Sequence, residues 1–108
     1  MTKVTIYKND MNECVGFRAY GHAGYDEEGQ DVVCAAISVL TINTMNSIEA
    51  FTDEEFYTSS NEEEGYIENR VSDRPSKEAT LLLNSMVLGL ESMVENYDDY
   101  IDLKFEEV

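Results

Sequence analysis

The chain has 108 residues, 43% of them hydrophobic, and a single proline, which is typical of one globular domain rather than of a disordered chain. Its 23 acidic and 7 basic residues give a formal net charge of −16. Such a charge disfavours direct binding to nucleic acid or to an anionic membrane, because their phosphates would be repelled. It favours a basic partner or simply solubility, and we expect one domain over residues 1–108.

The N-terminal segment Met1–Tyr7 lacks the apolar core of a signal peptide, and no stretch approaches the ~20 apolar residues of a membrane span. We therefore expect a cytoplasmic, reducing location in which Cys14 and Cys34 are free thiols. Two cysteines and one histidine without a Cys-x-x-Cys pair make a poor zinc site. We expect no metal and no other cofactor.

Alternation of apolar and polar residues predicts two strands, residues 3–8 and 14–21, which pair as a hairpin. The second strand ends at the sequence Gly-His-Ala-Gly, where Gly24 and Gly29 belong to a glycine-rich acidic loop. Such a loop is either an ordinary solvated crossover or a lid that reorders over a substrate.

A long apolar segment predicts a helix over about 32–50 with Asp31 as its N-cap. A second hairpin follows, with strands at 54–60 and 65–71 and a turn of three glutamates and a glycine between them.

Ser76 is the expected N-cap of a second helix over about 77–97. Leu81 and Leu88 lie off its apolar stripe, where they either widen the core face or contact a second subunit. A last strand alternates from Ile101 onward. The order β-β-α-β-β-α-β predicts an α+β fold, in which hairpins form a mostly antiparallel sheet and two helices pack on it.

The chain's only histidine, His22, and one thiol, Cys34, stand on either side of the glycine-rich loop. In a helix that starts at residue 32, Cys34 is the third residue, where unpaired amides and a partial positive charge stabilise a thiolate and can bind an oxyanion. If the loop folds back, His22 can pair with the thiolate and protonate a leaving amine. Asp31 either caps the helix or orients His22. Ser38, one turn after Cys34, either lines the site or bonds back to the helix.

The residue pattern has a plainer interpretation, because cysteine is often a small buried hydrophobe and a lone histidine is often structural. Cys14 is a weaker candidate nucleophile, since its place in a strand suits a structural thiol.

Taken together, the sequences Gly21-His22-Ala23 and Asp31-Val32-Val33-Cys34-Ala35, with Ser38 after them, resemble the ribosomal-processing cysteine proteases, the Prp family. The resemblance covers the chain's length and the order of its elements. It implies a homodimeric endopeptidase with a Cys–His dyad, which removes a short N-terminal extension from large-subunit ribosomal protein number 27 by cutting after a phenylalanine.

Carried over by position, the resemblance makes Cys34 the nucleophile and His22 the base. Asp31 and Ser38 then support the site, while Gly21 and Gly24 shape the mobile loop. The second hypothesis is a non-catalytic ribosome-associated or assembly factor, in which the histidine and the cysteine are structural.

Overall fold

The computed structural model describes residues 1–21, 28–61, 63 and 65–108, and of residues 28–31 only the backbone. The order of its elements is the predicted one, which confirms the α+β class. Their bounds are β1 (Thr2–Lys8), β2 (Cys14–Tyr20), α1 (Glu28–Phe51), β3 (Phe56–Asn61), β4 (Tyr66–Val71), α2 (Lys77–Tyr97) and β5 (Ile101–Glu107).

The five strands form one sheet in the order β3-β4-β2-β1-β5. Three neighbouring pairs are antiparallel, as the two hairpins predict, and only β5 runs parallel to its neighbour β1. By these pairings, α1 joins the parallel strands β2 and β3, and α2 joins the parallel strands β4 and β5. A connection between parallel strands is almost always right-handed. The two connections cross the sheet in opposite directions, and the strands that they join also run in opposite directions. The rule therefore places both helices over the same face of the sheet.

The core lies between the helices and that face. Val15, Phe17 and Ala19 of β2 are buried there, as the alternation predicts, and Val4 and Ile6 of β1 lie beside them. The helices fill the other side with apolar residues at helical spacing, namely Val33, Ile37 and Ile48 of α1 and Leu83, Met86 and Leu90 of α2.

The start of α1 corrects the sequence prediction, because the helix begins at Glu28 and not at residue 32. Asp31 is therefore inside the helix and is not its N-cap, and Gly29 belongs to the helix and not to the loop. Apolar periodicity marks only the part of a helix that packs on a core, and a polar first turn carries no such signal. Acidic residues are also favourable in a first turn, because they complement the positive end of the helix dipole.

By length and composition, Val32–Phe51 of α1 also matches a membrane span, contrary to the sequence prediction. Its mean hydropathy is 1.4, and it is the one helix of this kind in the described part of the chain. Its inner side is packed in the core, as in any central helix of a globular domain.

The second helix agrees with its predicted bounds. The Ser76 side chain accepts a hydrogen bond of 3.1 Å from the backbone N–H of Ala79, which confirms the N-cap. Leu81 and Leu88 are 70% and 67% exposed, so the prediction that they widen the core is wrong. Gly89 faces the side chain of Leu40 on α1.

We expect Gly16→Ala to destabilise the fold by roughly 1–3 kcal/mol, since this is the range for overpacking a rigid site. A Cβ at Gly16 would overlap the backbone carbonyl oxygen of Asn69 on the neighbouring strand. Gly89→Ala is the matched control, because its Cβ would meet only the flexible end of Leu40 at 2.9 Å. Urea unfolding followed by circular dichroism measures both; equal losses in the two variants would contradict the steric explanation.

Candidate active site

Cys34 lies on the side of α1 that faces the sheet. It is 7% exposed and stands beside the cluster of apolar side chains that forms the core, not within it. Its Sγ is 3.3 Å from Oγ1 of Thr2, the first residue of β1. The thiol is therefore held at a packed junction between helix and sheet, with a hydroxyl group against the sulfur.

The position of Cys34 within α1 differs from the prediction. It is the seventh residue of the helix, in the second turn, because the helix begins at Glu28. The unpaired amides of a helix belong to its first four residues, and the dipole effect falls off within the first turn. The proposed stabilisation of the thiolate and of an oxyanion by the helix N-terminus is therefore wrong for this chain.

Gly21 directly follows the second strand and lies near this junction. Its backbone N–H donates a hydrogen bond of 3.1 Å to the carbonyl oxygen of Gly65, and its φ is 85°, a value that favours glycine. A Cβ at this position would lie 3.2 Å from the carbonyl oxygen of Met1. Gly21 and Cys34 thus contact neighbouring residues, Met1 and Thr2, at the start of the chain.

Two of the predicted site residues, His22 and Gly24, lie outside the described residues, and the same holds for the side chain of Asp31. The pairing of His22 with Cys34 therefore stays a prediction. Gly21 directly precedes His22 and lies near Met1, and Met1 is followed by Thr2, whose hydroxyl group is next to the Cys34 thiol. The position of Gly21 therefore supports this pairing.

Ser38 is half-buried one turn after Cys34, where it lines an open cavity of about 360 Å³ between α1 and the sheet. Most of the wall is apolar, and it is formed by Ala19, Ile37, Thr41, Ile42, Ser60, Tyr66 and Ile67. Cys34 is not among the residues that line this cavity, so the role of Ser38 stays a prediction.

Thr2 is the residue that sequence reasoning missed. The predicted first strand began at residue 3, one residue too late. Extending the alternation of Val4 and Ile6 back by two residues places Thr2 on the helix-facing side of β1. The alternation of residues in β1 was therefore the sequence signal that could have identified Thr2.

The second thiol, Cys14, is in a different environment. It is fully buried, and its Sγ donates to the carbonyl oxygen of Gly16 at 3.5 Å. Burial raises the pKa of the Cys14 thiol, which suits a structural residue. Both cysteines are free, as expected. Among the residues that the structure describes, no three His, Cys, Asp or Glu side chains are grouped so as to hold a metal ion.

Comparison with known proteins places the chain among cysteine proteases. The family model described as cysteine protease Prp matches residues 1–102. The ribosomal processing cysteine protease Prp of Staphylococcus aureus (strain Mu50 / ATCC 700699) is 30% identical over 106 residues, which cover 98% of this chain and 100% of that protein. The protein of the same name from Bacillus subtilis (strain 168) is 26% identical over 103 residues, 92% of each.

The fold agrees with solved structures of the same kind. The essential ribosomal processing protease Prp from S. aureus, in complex with a substrate peptide, superposes with a TM-score of 0.92 at 29% identity, over 98% of this chain and 100% of that one. The S. aureus protease with a covalently linked product peptide gives a TM-score of 0.87 at 30% identity, with the same coverage.

We expect Thr2→Val to slow alkylation of Cys34 by iodoacetamide about fivefold, because one hydrogen bond to the thiolate contributes roughly 1 kcal/mol. Valine keeps the shape of threonine and removes the hydroxyl group. Thr5→Val, on the opposite face of the same strand, is the matched control and should leave the rate unchanged. Mass spectrometry of the cysteine-containing peptides measures the rates, with Cys14 as an unreactive reference. An unchanged Cys34 rate in Thr2→Val would contradict a role for this contact.

Proposed function

Because the chain belongs to the cysteine protease family Prp, we propose that it removes the N-terminal extension of large-subunit ribosomal protein number 27 with a dyad of Cys34 and His22. The family makes the chain a cysteine protease, and the alternative of a non-catalytic ribosome-associated factor loses its support. The observation that carries the proposed site is the Cys34 thiol, held at 3.3 Å from the Thr2 hydroxyl group.

The reaction follows from the two side chains. His22 takes the proton of the Cys34 thiol, and the thiolate attacks the carbonyl carbon of the scissile peptide bond. His22 then returns the proton to the leaving amine, which departs with the C-terminal part of the substrate. Water, deprotonated by His22, hydrolyses the remaining thioester and releases the extension as a carboxylate. The S. aureus protease is described with a covalently linked product peptide, which supports a route through a covalent intermediate.

The Thr2 hydroxyl group has a part in this sequence of steps. Once His22 has taken the thiol proton, the Thr2 hydroxyl group can donate to the sulfur, and a hydrogen bond to an ionised group is stronger than one to a neutral group. With no helix N-terminus at this position, Thr2 and the imidazole of His22 are the groups we assign to holding the thiolate.

The cavity beside Ser38 suits the proposed specificity. Its volume of about 360 Å³ and its apolar wall can accept an aromatic side chain, such as the phenylalanine that precedes the cut. The net charge of −16 also suits a basic ribosomal protein as substrate, because opposite charges speed the encounter. Such processing serves ribosome biogenesis, and we propose that it takes place in the cytoplasm.

We also propose that the chain is a homodimer that pairs through the outer face of α1. There is no charged residue between Val32 and Ile48, although the chain carries 23 acidic residues. Val32 and Val39 are 59% and 67% exposed on that face. Two copies of a −16 chain repel one another, so an uncharged apolar face is the place where contact costs least.

We expect Cys34→Ala to abolish cleavage of the unprocessed ribosomal protein, with a loss of at least about 10³-fold in kcat/KM, since it removes the nucleophile. His22→Gln should lose activity to a similar extent. Cys14→Ala is the matched control, because it removes the other thiol and, once circular dichroism shows it folded, should retain cleavage. Mass determination of the products reads the cut site.

The outcomes separate the parts of this proposal. Activity in Cys34→Ala would contradict the assigned nucleophile, and activity in His22→Gln would contradict the dyad.

Replacing the phenylalanine before the cut by alanine should lower kcat/KM by at least about tenfold, because burial of an aromatic side chain contributes roughly 2–3 kcal/mol. Equal cleavage of both substrates would contradict the assignment of the cavity.

For the homodimer, we expect Val39→Glu to weaken self-association by at least about tenfold, because it buries an unpaired carboxylate in the contact. Leu81→Glu, equally exposed but on α2, is the matched control and should dimerise as the parent chain does. Analytical ultracentrifugation over a concentration series measures both. A monomeric parent chain would exclude the dimer, and dissociation by Leu81→Glu alone would move the interface to α2.

A further inference from the structure

The face of the sheet opposite the helices has a charge unlike the rest of the chain. The strand registers place Lys104, Thr5 and Arg18 side by side on β5, β1 and β2. Lys3 lies two residues before Thr5, on the same face of β1. With Arg70 on β4, this face carries four of the chain's seven basic residues. By the same registers, its acidic side chains are only Glu68, Asp102 and Glu106.

Three of these cations surround a pocket. Lys3, Arg18 and Lys104 line an open cavity of about 430 Å³, with Thr5 between them. Within the described part of the chain, Lys3 and Arg18 take part in no ion pair. Lys104 lies 3.7 Å from Asp102, in an exposed pair that contributes little and can rearrange.

Two aromatic rings form another wall of this cavity. Tyr20 and Tyr66 are opposite each other on β2 and β4, and their ring centroids are 6.3 Å apart with an angle of 70° between the planes. The hydroxyl group of Tyr66 donates to Glu68 at 3.0 Å, and Tyr7 donates to the same carboxylate at 2.8 Å. Glu68 is thus engaged by tyrosine hydroxyl groups and fixes the ring of Tyr66.

We propose that this cavity binds a nucleoside monophosphate, with the phosphate between Lys3, Arg18 and Lys104 and the base against the rings of Tyr20 and Tyr66. A phosphate dianion takes charge-assisted hydrogen bonds from lysine and arginine, and an aromatic base stacks on a tyrosine face. The volume lies within the range of small-molecule sites.

The ligand is a single nucleotide and not a strand of nucleic acid. At physiological salt, charges beyond about 8 Å are largely screened, so one phosphate responds mainly to the charges that line the cavity, which are three cations and the single carboxylate of Asp102. A strand would extend past them over a chain whose remaining acidic residues greatly outnumber its basic ones, and its further phosphates would be repelled.

The cavity lies on the face of the sheet opposite Cys34 and Thr2. Lys3 points to the open face, whereas its neighbour Thr2 contacts Cys34 on the helix face. Tyr20 directly precedes Gly21, and Tyr66 lines both cavities. Neither Cys34 nor Thr2 lines the sheet cavity, and nucleotide binding there can be measured without a cleavage assay.

Isothermal titration of the full chain with AMP tests the proposal. We expect saturable binding with a Kd below about 1 mM, and binding of adenosine and of inorganic phosphate at least about tenfold weaker, because each lacks one half of the contacts. Lys104→Glu should weaken AMP binding at least about tenfold by reversing one phosphate contact. Lys77→Glu, at the start of α2, is the matched control, because it changes the net charge equally and lies outside the cavity.

The proposal would be overturned if AMP showed no saturable binding up to about 5 mM, or if Lys104→Glu and Lys77→Glu lost equal amounts of AMP affinity. Inorganic phosphate that binds as tightly as AMP would also contradict it. A five-nucleotide single-stranded RNA that binds about 100-fold more tightly than AMP would indicate that the ligand is a strand. If Lys104→Glu is unfolded by circular dichroism, Lys104→Gln, which removes the charge without reversing it, takes its place.

Discussion

The handedness of two crossover connections determines how this molecule is organised. Both helices lie on one face of the sheet, so each strand presents one set of alternate residues to the core and the other set to solvent. On β1, Thr2 reaches the thiol on α1, and Lys3 belongs to the opposite surface. A shift of one residue in the register of this strand would exchange the two, and it would place a charged amine against the sulfur.

The thiol depends on that register because it is buried among fixed elements. Cys34 stands on a helix that packs along the sheet, so its position is set by the core, while the histidine comes from the segment between β2 and α1. In the proposed dyad, the scaffold holds the nucleophile, and the base belongs to the segment between the two elements. The sulfur then defines where the substrate carbonyl must lie.

Much of this could be predicted from the sequence, because the signals were periodic. Alternation in β1, β2 and β5 and the stripe of α2 gave the elements and the α+β class, and Ser76 gave the start of α2. The start of α1 could not be found this way, because its first turn has no apolar residue that faces a core. The Thr2–Cys34 contact joins residues 32 positions apart, and its chemistry follows from tertiary packing rather than from any local motif.

The distribution of charge separates the surfaces by the partners they can accept. The chain carries 23 acidic and 7 basic residues, but α1 from Val32 to Ile48 has no charge, and the open face of the sheet holds four of the seven basic residues. At this composition, chance placement would put acidic residues in this part of α1, and it would put more acidic than basic residues on the open face. An uncharged stripe on a strongly charged chain avoids the desolvation cost that a buried carboxylate would impose in a contact between copies. The cations around the cavity can attract an anion locally although the molecule has a negative net charge. This is possible because salt screens the electric field of each charge beyond its near neighbours.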